Sequence, residues 1–188
     1  TGFNQKSLRN WKRDHVGHRT FTVLRHPALR LHDAFCSKIL TTGPGSFNKI
    51  RNTLRRFHKL PIPGQEPNEN WDLAAHREAF IAFAQFVKMN LSGQTSIRVD
   101  AHWCSQSLAI ANMADFALPD MVLREDQLAE MLPILALSAG CETAPAPDLE
   151  AQEPMFFNLS DIYDAEVESA VQDAYQRDYL MFGFESWG

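Results

Sequence analysis

The sequence predicts an α/β layer fold, because short β-type apolar runs alternate with longer stretches of helical spacing. Three observations carry this reading. Thr20-Phe21-Thr22-Val23-Leu24 is a β-type run that ends at Arg25. Pro27 follows and opens an amphipathic stretch, as suits a residue whose missing N–H would find no partner in a first helical turn. A second short run, Met121-Val122-Leu123, stands after several helical stretches. With 188 residues, 45% of them hydrophobic, the chain can bury one real core, and a single domain over 1–188 is expected.

Residues 1–19 are polar and basic and precede a buried strand over 20–24. A helix over 28–40 follows, with Leu31, Ala34, Phe35, Lys38 and Ile39 at helical spacing. Thr41-Thr42-Gly43-Pro44-Gly45 ends it, and Ser46 reads as the N-cap of a second helix. That helix, 46–60, turns Phe47, Ile50, Leu54 and Phe57 inward and Lys49, Arg55, Arg56 and Lys59 outward. The proline-rich stretch 61–67 is a loop. A helix over 71–89 buries Leu73, Phe80, Phe83, Phe86 and Val87. An extended segment over 97–103, a helix over 107–116, the strand over 121–123 and a helix from Glu125 interrupted at Pro133 come next. The run 141–154 is an exposed excursion, and a helix over 162–180 closes the chain.

Charge is distributed unevenly. Residues 1–60 hold 13 Lys and Arg against two Asp and Glu, whereas the remainder of the chain holds five against 21. Either an anionic partner meets the basic third, or that third packs against the acidic remainder. Cys36, Cys104 and Cys141 form no C-x-x-C, which argues against a disulfide framework or zinc ribbon and favours a reducing, cytoplasmic setting. His15-x-x-His18 lacks a third ligand at suitable spacing, so no metal is expected. No apolar run is long enough for a membrane span.

The junction of strand and helix carries a more specific signal. At Arg25-x-Pro27-x-x-Arg30, followed by Asp33-Ala34-Phe35 and Lys38, the chain resembles the sulfotransferases, particularly their carbohydrate and nodulation-type branch. Asp100-Ala101-His102-Trp103-Cys104-Ser105-Gln106 is similar to that branch's Asp-x-His-x-x-x-Gln element. Tyr175-Gln176-Arg177-Asp178-Tyr179-Leu180-Met181-Phe182-Gly183-Phe184 is similar to its terminal element. Val122-Leu123-Arg124-Glu125 with Leu128 resembles its strand leading into Glu-x-x-Leu. The resemblance implies a three-layer, P-loop-like domain with a parallel sheet and flanking helices, of which this chain would be either the C-terminal part or a relative lacking the N-terminal βα unit. It implies transfer of a sulfuryl group from 3′-phosphoadenosine 5′-phosphosulfate to a carbohydrate-type hydroxyl, without a metal. Arg25, Pro27, Arg30 and Asp33 would form the donor's 3′-phosphate clamp, and Arg55 and Arg56 would lie on the acceptor side.

Two departures bear on this. The family's phosphosulfate loop, a Lys followed by Gly-Thr-Ser-like residues, has no counterpart in the 24 residues before Arg25, and Gly93-Gln94-Thr95-Ser96 lacks the adjacent Lys. Asp33 stands where the clamp usually offers Ser, and a carboxylate repels phosphate where a hydroxyl would donate to it. Arg30 pairing with Asp33 would leave Arg25, helix amides or His32 to meet the anion. An acceptor hydroxyl needs a base, for which His102 is the first choice; the alternative is a core histidine bonded to backbone. The chain alone is expected to turn over slowly or not at all. The competing function is a non-catalytic module that binds an acidic sugar, a nucleotide or, less in keeping with the resemblance, nucleic acid.

Overall fold

The computed structural model describes residues 4–113, 118–143 and 156–188. They form a helix-rich α/β structure with a parallel pair of strands, divided into two compact units. The first comprises residues 1–25 and 113–150, the second residues 26–112 and 151–188.

In the first unit, β1 (Phe21–Leu24) pairs in parallel with β2 (Met121–Arg124), Phe21 opposite Met121 and Leu24 opposite Arg124. Side chains clip this register at both ends. The Asp120 carboxylate accepts from the Thr20 N–H and hydroxyl at 2.7 and 2.8 Å, and Arg25 Nε donates to Glu125 at 2.9 Å. The strand is less buried than its composition predicts: Leu24 is covered, whereas Phe21 is 48% and Val23 37% exposed. A 3-10 turn, Glu125–Gln127, leads into α6 (Leu128–Ser138). This helix continues through Pro133, forgoing one backbone hydrogen bond, because Leu128 and Leu135 pack with Leu123 into one apolar cluster. Before the sheet, α1 (Gln5–Asp14) is a helix that the polar composition of 1–19 does not announce; Asn4 and Ser7 cap it reciprocally, and none of its residues is buried.

The second unit is helical. Pro27 begins α2 (Pro27–Ala34), which passes directly into a π-helical stretch, Phe35–Leu40, so the run 27–40 is helical as its periodicity predicts. The next helix, α3 (Asn48–Phe57), begins later than 46. Ser46 instead closes a turn by donating its hydroxyl to the Gly43 carbonyl, and Phe57 is 76% exposed rather than inward. Arg51, almost fully buried on α3, donates to the carbonyls of Ile39, Gly64 and Gln65 and thereby pins the proline-rich loop.

The central helix is α4 (Leu73–Leu91). Phe80, Phe83, Phe86 and Val87 are buried as their spacing requires, while Leu73, at the entry, is 41% exposed. Against α4 lies α8 (Ala165–Phe182), joined to it by Arg77–Asp164 and Lys88–Asp173 ion pairs. The closing helix is not continuous over 162–180. A short α7 (Leu159–Ile162) ends at extended Tyr163, and Asp164 caps a fresh start by accepting the Glu166 and Val167 amides. In the segment 97–103, residues 101–103 form a turn, and α5 (Gln106–Met113) follows it. The expected end of that helix, 114–116, and residues 144–154 of the expected excursion lie outside the described residues. No helix among the described residues is long and apolar enough to cross a membrane.

Candidate functional site

Three of the segments singled out in the sequence meet inside the second unit. Arg30, one turn into α2, donates from Nη1 to the Cys104 carbonyl and from Nη2 to the Ala101 carbonyl, both at 2.6 Å. From α8, the Tyr175 hydroxyl donates to the Trp103 carbonyl at 2.8 Å, and Asp178 caps α5 through the Gln106 and Ser107 amides. The remaining link joins α2 to the chain end: His26 packs edge-on against Tyr179 and Phe184, and its Nε2 lies 2.9 Å from the Glu185 carbonyl. Trp103, fully buried, donates Nε1–H to Asn90 of α4. The turn 100–105 is therefore held from three helices, which is how a short irregular segment keeps one conformation.

That turn presents the Asp100–His102 pair. His102 Nδ1 lies 2.6 Å from Asp100 Oδ1, and the same carboxylate oxygen accepts the His102 backbone N–H at 2.9 Å. Burial pushes the Asp100 carboxyl up, but the His102 amide and ring, with Lys38 beyond, outweigh it and hold the carboxyl below its usual range. A carboxylate facing Nδ1 assigns the proton of a neutral ring to Nδ1 and leaves Nε2 as a lone-pair base. The imidazole is half-exposed, its ring edge-on to Phe47. His102 is thus neither buried nor bonded to backbone through its ring. Beside the pair runs a groove of about 510 Å³ between α3 and 97–101, lined among others by Lys49, Thr53, Arg98 and Asp100.

The other sequence candidates fall as follows. Arg25 belongs to the first unit, paired with Glu125, whereas Pro27, Arg30 and Asp33 belong to the second. Pro27 is the buried first residue of α2, and His26 Nδ1 accepts the Ala28 amide, so one of the first-turn donors already has a partner. Asp33 is exposed, and the two Arg30 contacts above go to carbonyls rather than to it. Arg55 donates to the Ile62 carbonyl of the loop after α3, while Arg56 is exposed. His32 is buried within the second unit.

His32 belongs to a group that sequence reasoning missed. Its Nε2 lies 3.0 Å from His76 Nε2 and 3.7 Å from Cys36 Sγ, and all three residues are buried. Burial lowers both imidazoles to about 4, opposed by the negative charge of Asp161, and raises the Cys36 thiol to about 12. The available signal was His32-x-x-x-Cys36, a spacing that stacks two side chains on one helical face. Compared with protein-family models, curated proteins and solved structures, the chain matches none of them.

Proposed function

We propose that this chain takes part in sulfuryl transfer from 3′-phosphoadenosine 5′-phosphosulfate to a carbohydrate hydroxyl, and that its clearest contribution is to the acceptor side. The observation that carries the reading is the Asp100–His102 pair at the edge of a groove bearing Lys49 and Arg98. In this reading the two cations hold an acidic sugar and His102 Nε2 takes the proton of its hydroxyl. The freed oxygen attacks sulfur as the bond from sulfur to the 5′-phosphate oxygen breaks, releasing adenosine 3′,5′-bisphosphate. Charge spreads over the equatorial and leaving oxygens in such a transfer, so positioned cations carry much of the catalysis. Arg25 would meet the donor, and the β1–β2 pair would be part of the three-layer, P-loop-like sheet of the sulfotransferases. Without a lysine-bearing phosphosulfate loop among residues 1–188, turnover by these residues alone is slow.

A specific observation favours a second reading. Two guanidinium nitrogens of Arg30 rest on backbone carbonyls, and Arg25 is paired with Glu125, as in a module that binds an acidic sugar without transferring anything to it. Transfer of radiolabelled sulfuryl to mixed oligosaccharides separates the two. The enzyme reading expects slow transfer that His102→Gln reduces about 100-fold or more, the range for loss of a general base, with oligosaccharide affinity unchanged. Oligosaccharide binding without any transfer supports the second reading.

A further inference from the structure

We propose that His32, Cys36 and His76 form a binding site for a zinc ion. The three residues converge from two elements: His32 and Cys36 lie one turn apart where α2 passes into its π-helical continuation, and His76 stands in the first turns of α4. Their ligand atoms all lie within 4.8 Å of one another. Zinc bonds of about 2.0–2.1 Å to nitrogen and 2.3 Å to sulfur give tetrahedral edges of about 3.3 Å between nitrogens and 3.6 Å between nitrogen and sulfur. The corresponding separations are 3.0 Å between the two Nε2 atoms, and 3.7 and 4.0 Å from Sγ to Nε2 of His32 and of His76. The triangle therefore needs adjustments of only a few tenths of an ångström to hold the ion.

The donor set suits zinc rather than calcium or magnesium, which take oxygen ligands. Charge agrees as well. Two neutral imidazoles and a thiolate leave a bound Zn²⁺ with one net positive charge, and the negative charge of Asp161 acts on both rings. Three protein ligands leave the fourth tetrahedral position for water or another donor.

Trp71 makes the proposal sharper. Its indole N–H donates to His76 Nδ1 at 3.2 Å, which puts the proton of the neutral His76 ring on Nε2, where it faces His32 Nε2. Zinc takes the place of that proton. His76 Nε2 then offers its lone pair, its proton passes to Nδ1, and the half-buried indole must turn away because two N–H groups cannot face each other. The Cys36 thiol gives its proton to solvent as the sulfur–zinc bond forms. Binding thus releases one proton per ion, and the Trp71 hydrogen bond competes with it.

The test uses the 188-residue chain freed of metal, titrated with Zn²⁺ by calorimetry and with Co²⁺ as a coloured substitute. Expected are one ion per chain, release of one proton, and a thiolate-to-cobalt charge-transfer band. The band persists in a Cys104→Ser, Cys141→Ser double variant and is lost in Cys36→Ser. Loss of a direct ligand weakens Zn²⁺ binding by more than the ~10–100-fold typical of outer partners. Trp71→Phe tightens Zn²⁺ by about threefold to tenfold, the equivalent of one hydrogen bond. Failure of both wild type and Trp71→Phe to take up Zn²⁺, or disappearance of the cobalt band in the double variant, overturns the proposal. Should Cys36→Ser fail to fold by circular dichroism, the double variant and Trp71→Phe still decide it.

Discussion

The carboxylate of Asp178, fully buried on α8, accepts the backbone N–H groups of Gln106 and Ser107 at 2.7 and 2.9 Å and so caps α5 from another helix. Removing it strands two amides away from water. Asp178→Ala is expected to cost about 3 kcal/mol of stability, the upper range for hydrogen bonds to a charged group, with Asp178→Asn intermediate. Urea denaturation with an unchanged slope checks both values.

Arg30 holds two carbonyls of the 100–105 turn in its planar fork. Lysine brings a point charge without that geometry. Arg30→Lys should therefore lower stability by about 1 to 2 kcal/mol and speed amide hydrogen exchange selectively around 101–104. Unchanged exchange there would remove Arg30 from its role in positioning His102.

The succession of β-type run, Arg25 and Pro27-led helix was legible in the sequence because proline chemistry and periodicity are local. So was a second strand near 121, whereas its parallel pairing with β1 is a long-range contact that local signals do not announce. The convergence of 26–30, 100–106 and 175–184 was not legible, since Arg30 reaching Ala101 and Tyr175 reaching Trp103 are tertiary contacts that no spacing announces. Composition misled where a polar segment supplied its own caps, as in α1, and where an apolar residue sat at a helix end, as with Leu73 and Phe57. The His32–Cys36–His76 group was hidden because its third member comes from a separate helix.

Gly183 ends α8 in the left-handed region at φ 65°, and its amide bonds back to Tyr179. A methyl group there would meet no atom within 4 Å, so the cost of Gly183→Ala is conformational alone. About 1 to 2 kcal/mol is expected, read by thermal or urea denaturation.

The Asp100 carboxyl has a folded-state pKa below its ordinary 3.8. The stability it supplies is thus present above the unfolded value and is lost as pH falls through the lower folded one. Wild type should lose stability across this acid window relative to Asp100→Asn, which lacks the titration. Parallel denaturation curves for the two proteins between about pH 2 and pH 5 would contradict the assigned role of Asp100.

Calorimetric titration with adenosine 3′,5′-bisphosphate, the product left when the donor loses its sulfuryl group, tests the functional reading most directly. The account predicts saturable binding at one site per chain, displaced by the intact donor and weakened about tenfold or more in Arg25→Ala, as for a lost charge-assisted hydrogen bond. Absence of binding at millimolar nucleotide, or equal affinity in wild type and Arg25→Ala, would contradict it.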